Sequence, residues 1–303
     1  MWGFFISAAV AASLITFAQE APAQPPSAQP PSAQIDRWTG WYVGLNAGGV
    51  WGSDPVSTTA SNSAFCAPPS CNRAVDFANA SIQGATGVFP LRTDGFIGGG
   101  QFGYNWKIAS RWIAGFEADV QGLASAGNSS AASASYDVSG FANHSVGTDL
   151  SVSKSINFLG TVRGRLGYLL VPRLLVFGTG GFAYGHVKTN LAISQNLIGA
   201  GLGNFAASYG TVLNASRIQG GWVLGGGFEW MFASHWTARV EYLHYDLGSV
   251  TATGQLANRI VSPSPPTPYY FVNNVQSTTR FYGDIVRVGL NFFFGKNGGR
   301  DRD

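Results

Sequence analysis

Residues 40–51 read GWYVGLNAGGVW, and the period of this stretch decides the fold. One phase carries Trp41, Val43, Leu45, Ala47, Gly49 and Trp51, and the other carries Tyr42, Gly44, Asn46, Gly48 and Val50. A spacing of two with apolar residues on one side and small or polar residues on the other describes a β-strand between two different surroundings. The alternation returns in Phe96, Gly98, Gly100, Phe102, Tyr104 and Trp106 against Ile97, Gly99, Gln101, Gly103 and Asn105. It returns again in Trp112, Ala114, Phe116, Ala118 and Val120 against Gly115, Glu117, Asp119 and Gln121. Further strands are expected at about 157–170, 174–187, 220–232, 235–247 and 283–294, eight in all. The fifth, LLVFGTGGFAYG, is too Gly-rich for its phase to be assigned.

The links between these strands alternate in length. Long ones cover 52–93, 123–154, 188–217 and 248–282, and short ones cover 107–110, 171–173 and 233–234. Short turns on one side, long Ser/Thr/Asn-rich links on the other and an even strand count describe an all-β, eight-stranded antiparallel up-and-down transmembrane barrel with four long extracellular loops. The run GGGQFGYNWKIASRWIAGFEAD from Gly98 is echoed by GGGFEWMFASHWTARVEY from Gly225, each a strand, a tight turn and a returning strand.

A soluble eight-stranded barrel would also alternate, with its apolar phase turned inward. Three features oppose it. The second phase is Gly-rich, as a crowded interior requires; Lys is confined to 107, 154, 188 and 296; and aromatics gather at strand ends. Trp41, Trp51, Trp106, Trp112, Trp230, Trp236 and Phe294 lie there on the apolar phase, as membrane-interface girdles do.

Composition agrees. Charged residues are 11% of the 303, against roughly 25% in ordinary soluble domains. With 41 Gly, 14% aromatics and a mean hydropathy of +0.08, the chain is neither a disordered tail nor a bundle of membrane helices. A net charge of +3 without a basic stripe excludes nucleic acid as an expected partner. At the N-terminus, residues 4–17 are nearly all apolar or small and Ala21-Pro22-Ala23 offers a cleavage pattern, so residues 1–23 read as a signal peptide. Its positive region rests on the amine of Met1 alone, because the first Lys or Arg is Arg37. Residues 24–37, beginning QPPSAQPPSAQ, read as a Pro/Ala/Gln-rich periplasmic spacer, residues 38–294 as the barrel and residues 295–303 as a polar tail.

The inward phase holds every Glu after Glu20, namely Glu117, Glu229 and Glu241, together with Asp119, Arg163, Arg165, Arg239 and Arg287. Counted from the short turns and before any shear, Glu117 stands level with about Arg165 and Asp119 with about Arg163. An eight-stranded barrel is just wide enough to be filled by side chains, so four acids facing four arginines are expected to plug it. The alternative is a gate over a narrow porin-like path.

The blocks WTGWYVGLNAGGVWG, FIGGGQFGYNW, FLGTVRGRLGY, LLVFGTGGFAYG, GGWVLGGGFEW, ARVEYLHYDLG and VRVGLNFFF resemble the small outer-membrane immunogenic proteins of alphaproteobacteria. That group is an opacity-like, porin-labelled branch of the OmpA-type barrels. The resemblance runs from Trp38 to Phe294 in the strands but not in the links. It implies a cell-outer-membrane barrel that supports envelope integrity and displays loops as antigen or adhesin. It also implies outer-membrane lipids, lipopolysaccharide, the barrel-assembly machinery and surface or host ligands as partners. Relatives commonly end on an aromatic that the assembly machinery reads, whereas here Phe292, Phe293 and Phe294 are followed by GKNGGRDRD.

No motif argues for chemistry. Gly98, Gly100 and Gly103 satisfy G-x-G-x-x-G inside an alternating strand with no helix after it, which excludes a dinucleotide loop. His144, His186, His235 and His244 are dispersed, and a rim site built on His186 and His244 lacks Cys, Asp or Glu to complete it. No metal, cofactor or catalytic residue is expected, although lipid-modifying enzymes also use small barrels. Cys66 and Cys71, in CAPPSC, are expected to form a disulfide in an oxidising compartment. Cleavage after Ala23 predicts an outer-membrane species beginning at Gln24, which N-terminal sequencing checks; an intact Met1 in that fraction would exclude it.

Overall fold

The computed structural model describes residues 36–63, 71–125, 128–199, 208–261 and 268–294. The expected signal peptide, nearly all of the spacer, the tail and Cys66 lie outside the described residues, so the disulfide does too. After a 3-10 turn at Asp36–Trp38 the chain forms β1 (Gly40–Asn62), the helix α1 (Cys71–Ala85), β2 (Gly87–Lys107), β3 (Trp112–Ser125) and β4 (Asn128–Asp137). Then follow β5 (His144–Val171), β6 (Leu174–Gly199), β7 (Ser208–Met231), β8 (Trp236–Val261) and β9 (Pro268–Phe293).

All pairings are antiparallel. The order β3-β2-β1-β9-β8-β7-β6-β5 closes through a β3–β5 ladder into a ring of eight, and β4 continues the line of β3 along the upper part of β5. Closure is what lipid demands, because a strand edge in hydrocarbon would leave its N–H and C=O groups without partners. The phases are those of the sequence. Trp41 and Leu45 are 51% and 73% exposed, while Tyr42 and Asn46 are 0% and 6%. The Gly-rich β6 turns its odd residues inward, with Leu175, Phe177, Thr179 and Ala183 buried and Phe182 outside.

Trp41, Trp106, Trp112, Trp230, Trp236 and Phe294 form an outward-facing aromatic belt at the short-turn end. Trp51 stands apart in an upper belt with Trp222, His244 and Tyr282, whose rings lie 5.5 Å (Trp222–His244) and 6.4 Å (His244–Tyr282) apart. From Trp41 to Trp51 the strand climbs roughly 33 Å along its own axis, or roughly 25 Å after a tilt of about 40°, the height of an outer-membrane apolar band.

Above the upper belt most residues of the four long links continue the strands as ladders, such as Val56↔Thr279 and Leu191↔Leu213. There the phases invert. Val56, Leu150, Val152, Leu191, Ile193, Leu213 and Val275 point inward, while Ser57, Ser151, Ala192, Ser194 and Gln276 point outward. Water replaces lipid outside, so the apolar side is the inner one, as in a soluble sheet. Short runs such as LAISQNL read as polar loop because they offer only a few large apolar residues, here Leu191, Ile193 and Leu197, among Ala, Ser, Gln and Asn. The ring also opens there. The β7–β8 ladder ends at Trp222↔Asp246 and the β2–β3 ladder at Gly95↔Ser125. Two four-stranded sheets, β2-β1-β9-β8 and β7-β6-β5-β4, then face each other over a shared apolar core.

Glycine makes room for the lumen's large side chains at two positions. A Cβ on Gly103 would lie 2.5 Å from the Tyr42 hydroxyl, and one on Gly115 would lie 2.4 Å from Asn105 Oδ1 and 3.2 Å from Arg165 Cγ. Gly103→Val therefore overpacks the lumen, at a cost of about 1–3 kcal/mol or more. Its expected outcome is a smaller fraction of the compact, fast-migrating species on unboiled gels, whereas an unchanged fraction would mean that the interior yields freely.

Candidate functional site: a plugged lumen

The lumen is filled in layers from the short-turn end upward. Trp38, Tyr42, Ile113, Leu169, Leu175, Met231 and Phe293 close the bottom, and the Trp38 indole N–H donates to the Pro172 carbonyl at 3.0 Å. Trp38 reaches this place because the short 3-10 turn folds under the barrel ahead of β1.

Immediately above lie all eight expected charged residues, each no more than 5% exposed. Period two alone puts them there: Glu117 and Asp119, Arg163 and Arg165, and Arg239 and Glu241 are each separated by one lipid-facing residue, and Glu229 and Arg287 fall on the inward phase of their own strands. Arg163 pairs with Glu117, with Asp119 at 2.9 Å and with Glu241 at 2.7 Å. Arg239 pairs with Glu117 and with Glu241 at 3.1 Å. Arg287 reaches Glu241 at 2.6 Å and Asp119 at 3.0 Å, and Arg165 holds Glu229 at 2.6 Å.

Neutral groups complete the set. The Tyr42 hydroxyl donates to Glu117 at 2.7 Å, Thr237 and Asn291 donate to Glu229 at 2.6 and 2.8 Å, and Thr161 donates to Asp119 at 2.9 Å. Gln101 accepts from Arg239 at 2.7 Å and from Asn46 at 2.8 Å. These neutral partners share the inward phase with the charges, and that phase is the signal by which they can be found.

The register corrects the level count from the turns. Glu117 stands opposite Arg163, Asp119 opposite Thr161 and Gly115 opposite Arg165. Barrel shear shifts β5 against β3 by two residues, so Arg163 takes both Glu117 and Asp119, while Arg165 holds Glu229 across the lumen and keeps Glu117 only at 4.0 Å.

Over this network sits an apolar layer that includes Val50, Ile97, Leu159, Val223, Leu243 and Phe281. Next come Lys154, whose ammonium lies 5.9 Å from the Phe281 ring, and the paired hydroxyls of Thr189 and Thr279 at 3.1 Å. The core shared by the two sheets follows. At the top, α1 lies in the mouth. Ser81 donates to Gln195 Oε1 at 2.6 Å, and Gln195 Nε2 donates back to the Ser81 carbonyl at 2.9 Å. Asn273 Nδ2 donates to the Ala78 carbonyl at 3.1 Å. A Cβ on Gly84 would fall 2.1 Å from Thr148 Oγ1, so glycine sets how close the helix comes to β5. Tyr209 packs there against Phe271, and burial pushes its phenol up to about 12. The helix is invisible to a strand-seeking reading, although Phe77, Ala78, Ser81, Gly84 and Ala85 recur at helical spacing.

The histidines serve four separate places. His186 hydrogen-bonds Ser216 at 3.1 Å, His244 bonds Asp284 at 2.8 Å, His235 stacks on Phe292 and His144 contacts the Ala142 carbonyl at 2.8 Å. Among the described residues no three His, Cys, Asp or Glu gather as a metal site would require. The G-x-G-x-x-G run lies within β2.

Comparison with known proteins gives three findings. The family model described as "Outer membrane protein beta-barrel domain" matches residues 9–262. The 31 kDa outer-membrane immunogenic proteins of Brucella melitensis and Brucella suis are each 34% identical over 294 residues, 96% of this chain and 95% of theirs. Among solved structures, the outer membrane protein OprG from Pseudomonas aeruginosa aligns over 86% of this chain and 99% of its own at 9% identity and a TM-score of 0.35. That overlap is loose, and the barrel architecture rests on the ladders above.

Four arginines and four carboxylates leave the network neutral. Arg163→Ala strands negative charge in a closed space, where breaking a buried pair costs about 3–5 kcal/mol. Removing Asp119 as well restores neutrality, so Arg163→Ala with Asp119→Ala is expected to recover part of the loss. Urea unfolding of the four members of this cycle in detergent reads the coupling, and strict additivity would show the two residues to be independently solvated.

Proposed function

This chain belongs to the outer-membrane protein β-barrel family and resides in the outer membrane, and from that premise we propose that it is a closed structural barrel that holds a rigid extracellular β-sandwich out for surface contacts, without catalysis. The observation that carries this reading is the stack of barriers in the lumen: the Trp38–Phe293 floor, the ionic network, two apolar layers and α1 in the mouth. Transport would require at least the floor, the apolar layers and the helix to move together. Conserving charge balance inside the network stabilises the wall and supports envelope integrity.

Display follows from the same geometry. The strands carry their hydrogen bonding well past the upper belt, so the exposed rows are held on a packed core. Thr59–Gln276–Thr253 and Ser61–Asn274–Gln255 are two such rows. The Brucella relatives are called immunogenic, and exposed, rigid, uncharged rows suit recognition by antibodies or by host and surface ligands. Lipopolysaccharide would surround the upper belt, and the barrel-assembly machinery would read the closing strand that ends in Phe292, Phe293 and Phe294. The second reading, a narrow channel gated by the arginine–glutamate network, is favoured by the polar layer alone.

Planar-bilayer conductance of the refolded protein separates the two. The closed barrel is silent as wild type and remains silent as Arg163→Ala, because the floor, the apolar layers and the helix still block the lumen. Steady openings of the wild type would overturn the closed reading, and openings confined to Arg163→Ala would establish the network as a gate.

A further inference from the structure

On the lipid-facing side of the barrel, β7, β8, β9 and β1 enclose an apolar groove of about 950 Å³. Its floor is Ala238, which stands between Trp230 on β7 and Leu290 on β9, with Leu45 of β1 beyond. One methyl between larger neighbours makes a depression, and Phe228, Trp230, Trp236 and Phe292 wall it. Trp230 and Trp236 belong to the belt at the short-turn end and the Phe292 ring packs 5.2 Å from that of Trp236, so the groove lies in the half of the hydrocarbon band nearer the periplasm.

A second, separate pocket of about 250 Å³ sits beside it at the rim. It is lined by Arg37, Arg173, Met231, Phe232, Ala233 and Ser234. Groove and pocket share the β7–β8 turn: Trp230 and Trp236, its two flanks, wall the groove, while residues 231–234 line the pocket, and the Trp230 and Phe232 rings lie 6.1 Å apart. Arg173 is held in place by its own backbone, whose carbonyl accepts the Met231 N–H at 2.9 Å. Arg37 precedes Trp38, the residue anchored in the barrel floor.

From this juxtaposition we propose that the groove and the rim pocket together bind one anionic diacyl phospholipid of the periplasmic leaflet. The acyl chain lies over Ala238 between the tryptophans, and the phosphate sits at Arg37 and Arg173. The place of the groove inside the apolar band requires a hydrocarbon occupant, and the two arginines next to it select a negatively charged headgroup. A second copy of the barrel would fill the groove but would leave the arginines facing arginines. Guanidinium groups suit phosphate because their donors match two of its oxygens at once.

The test uses the whole refolded protein in phosphatidylcholine vesicles that contain brominated phosphatidylglycerol, with tryptophan quenching as the measure of relative lipid affinity. The wild type is expected to prefer phosphatidylglycerol, and a basic side chain near a membrane surface is worth about a five-fold preference for anionic lipid. Arg37→Gln with Arg173→Gln should bring the ratio to that of phosphatidylcholine. Ala238→Phe, which fills the groove but keeps both arginines, should lower quenching by either lipid while the gel shift of the folded barrel persists. Equal affinity of the wild type for the two lipids, or a preference that survives loss of both arginines, would overturn the proposal. So would a wild-type dimer in crosslinking that Ala238→Phe abolishes, which would make a second barrel the occupant.

Discussion

The narrowness of a ring of eight strands governs the rest of this molecule. Hydrocarbon leaves no backbone group unpaired, so the sheet must close on itself, and at eight strands the space inside is about the width of the side chains that face it. Each inward position is therefore a packing problem as well as a chemical one. Gly103 and Gly115 make room for Tyr42 and Arg165, and the long arginines reach across the lumen to carboxylates on strands that are distant in the chain, as Arg165 does to Glu229.

A charged interior of this kind is a costly way to fill space, because removing an arginine or a carboxylate from water carries a large desolvation penalty that only full pairing offsets. The network goes most of the way through number and neutrality: four of each sign, every arginine on at least one carboxylate, and Tyr42, Thr161, Thr237 and Asn291 adding hydrogen bonds to the carboxylates, while Arg163 Nε, Arg165 Nε, Arg239 Nε and Arg287 Nη1 stay buried without a hydrogen-bond partner among the described residues. The arrangement also fixes register. A slip of one residue would carry Arg163 or Glu241 into lipid, and so the ionic layer specifies how the strands align as well as contributing to stability.

The outer solvent changes along each strand, and the structure follows it. Below the Trp51–Trp222 belt, lipid lies outside and the apolar phase is the outer one; above it, water lies outside and the apolar phase is the inner one. Closure is relaxed at the same height. Water satisfies an open edge, so β7 and β8 part above Trp222–Asp246 and the ring gives way to two facing sheets. One continuous set of strands thus serves as a membrane wall and as an extracellular sandwich, with α1 packed into the mouth by Ser81, Gln195 and Asn273.

The sequence by itself determined the lower barrel. Alternation over Gly40–Trp51 and its repeats sorts lipid-facing from lumen-facing residues, because a strand in the bilayer meets a sharp contrast between its two sides, and the eight inward charges are legible for the same reason. Tertiary structure decided which charge meets which. Shear is a property of the closed ring and not of any strand, so Glu117 stands opposite Arg163 rather than Arg165. It also decided the form of the long links, whose weak Ser/Ala/Asn alternation carries little contrast until two sheets face each other and give Leu191, Ile193 and Val275 a shared interior. The helix in the mouth and the groove over Ala238 belong to that second class, because both depend on side chains brought together from four strands or more, which no local period records.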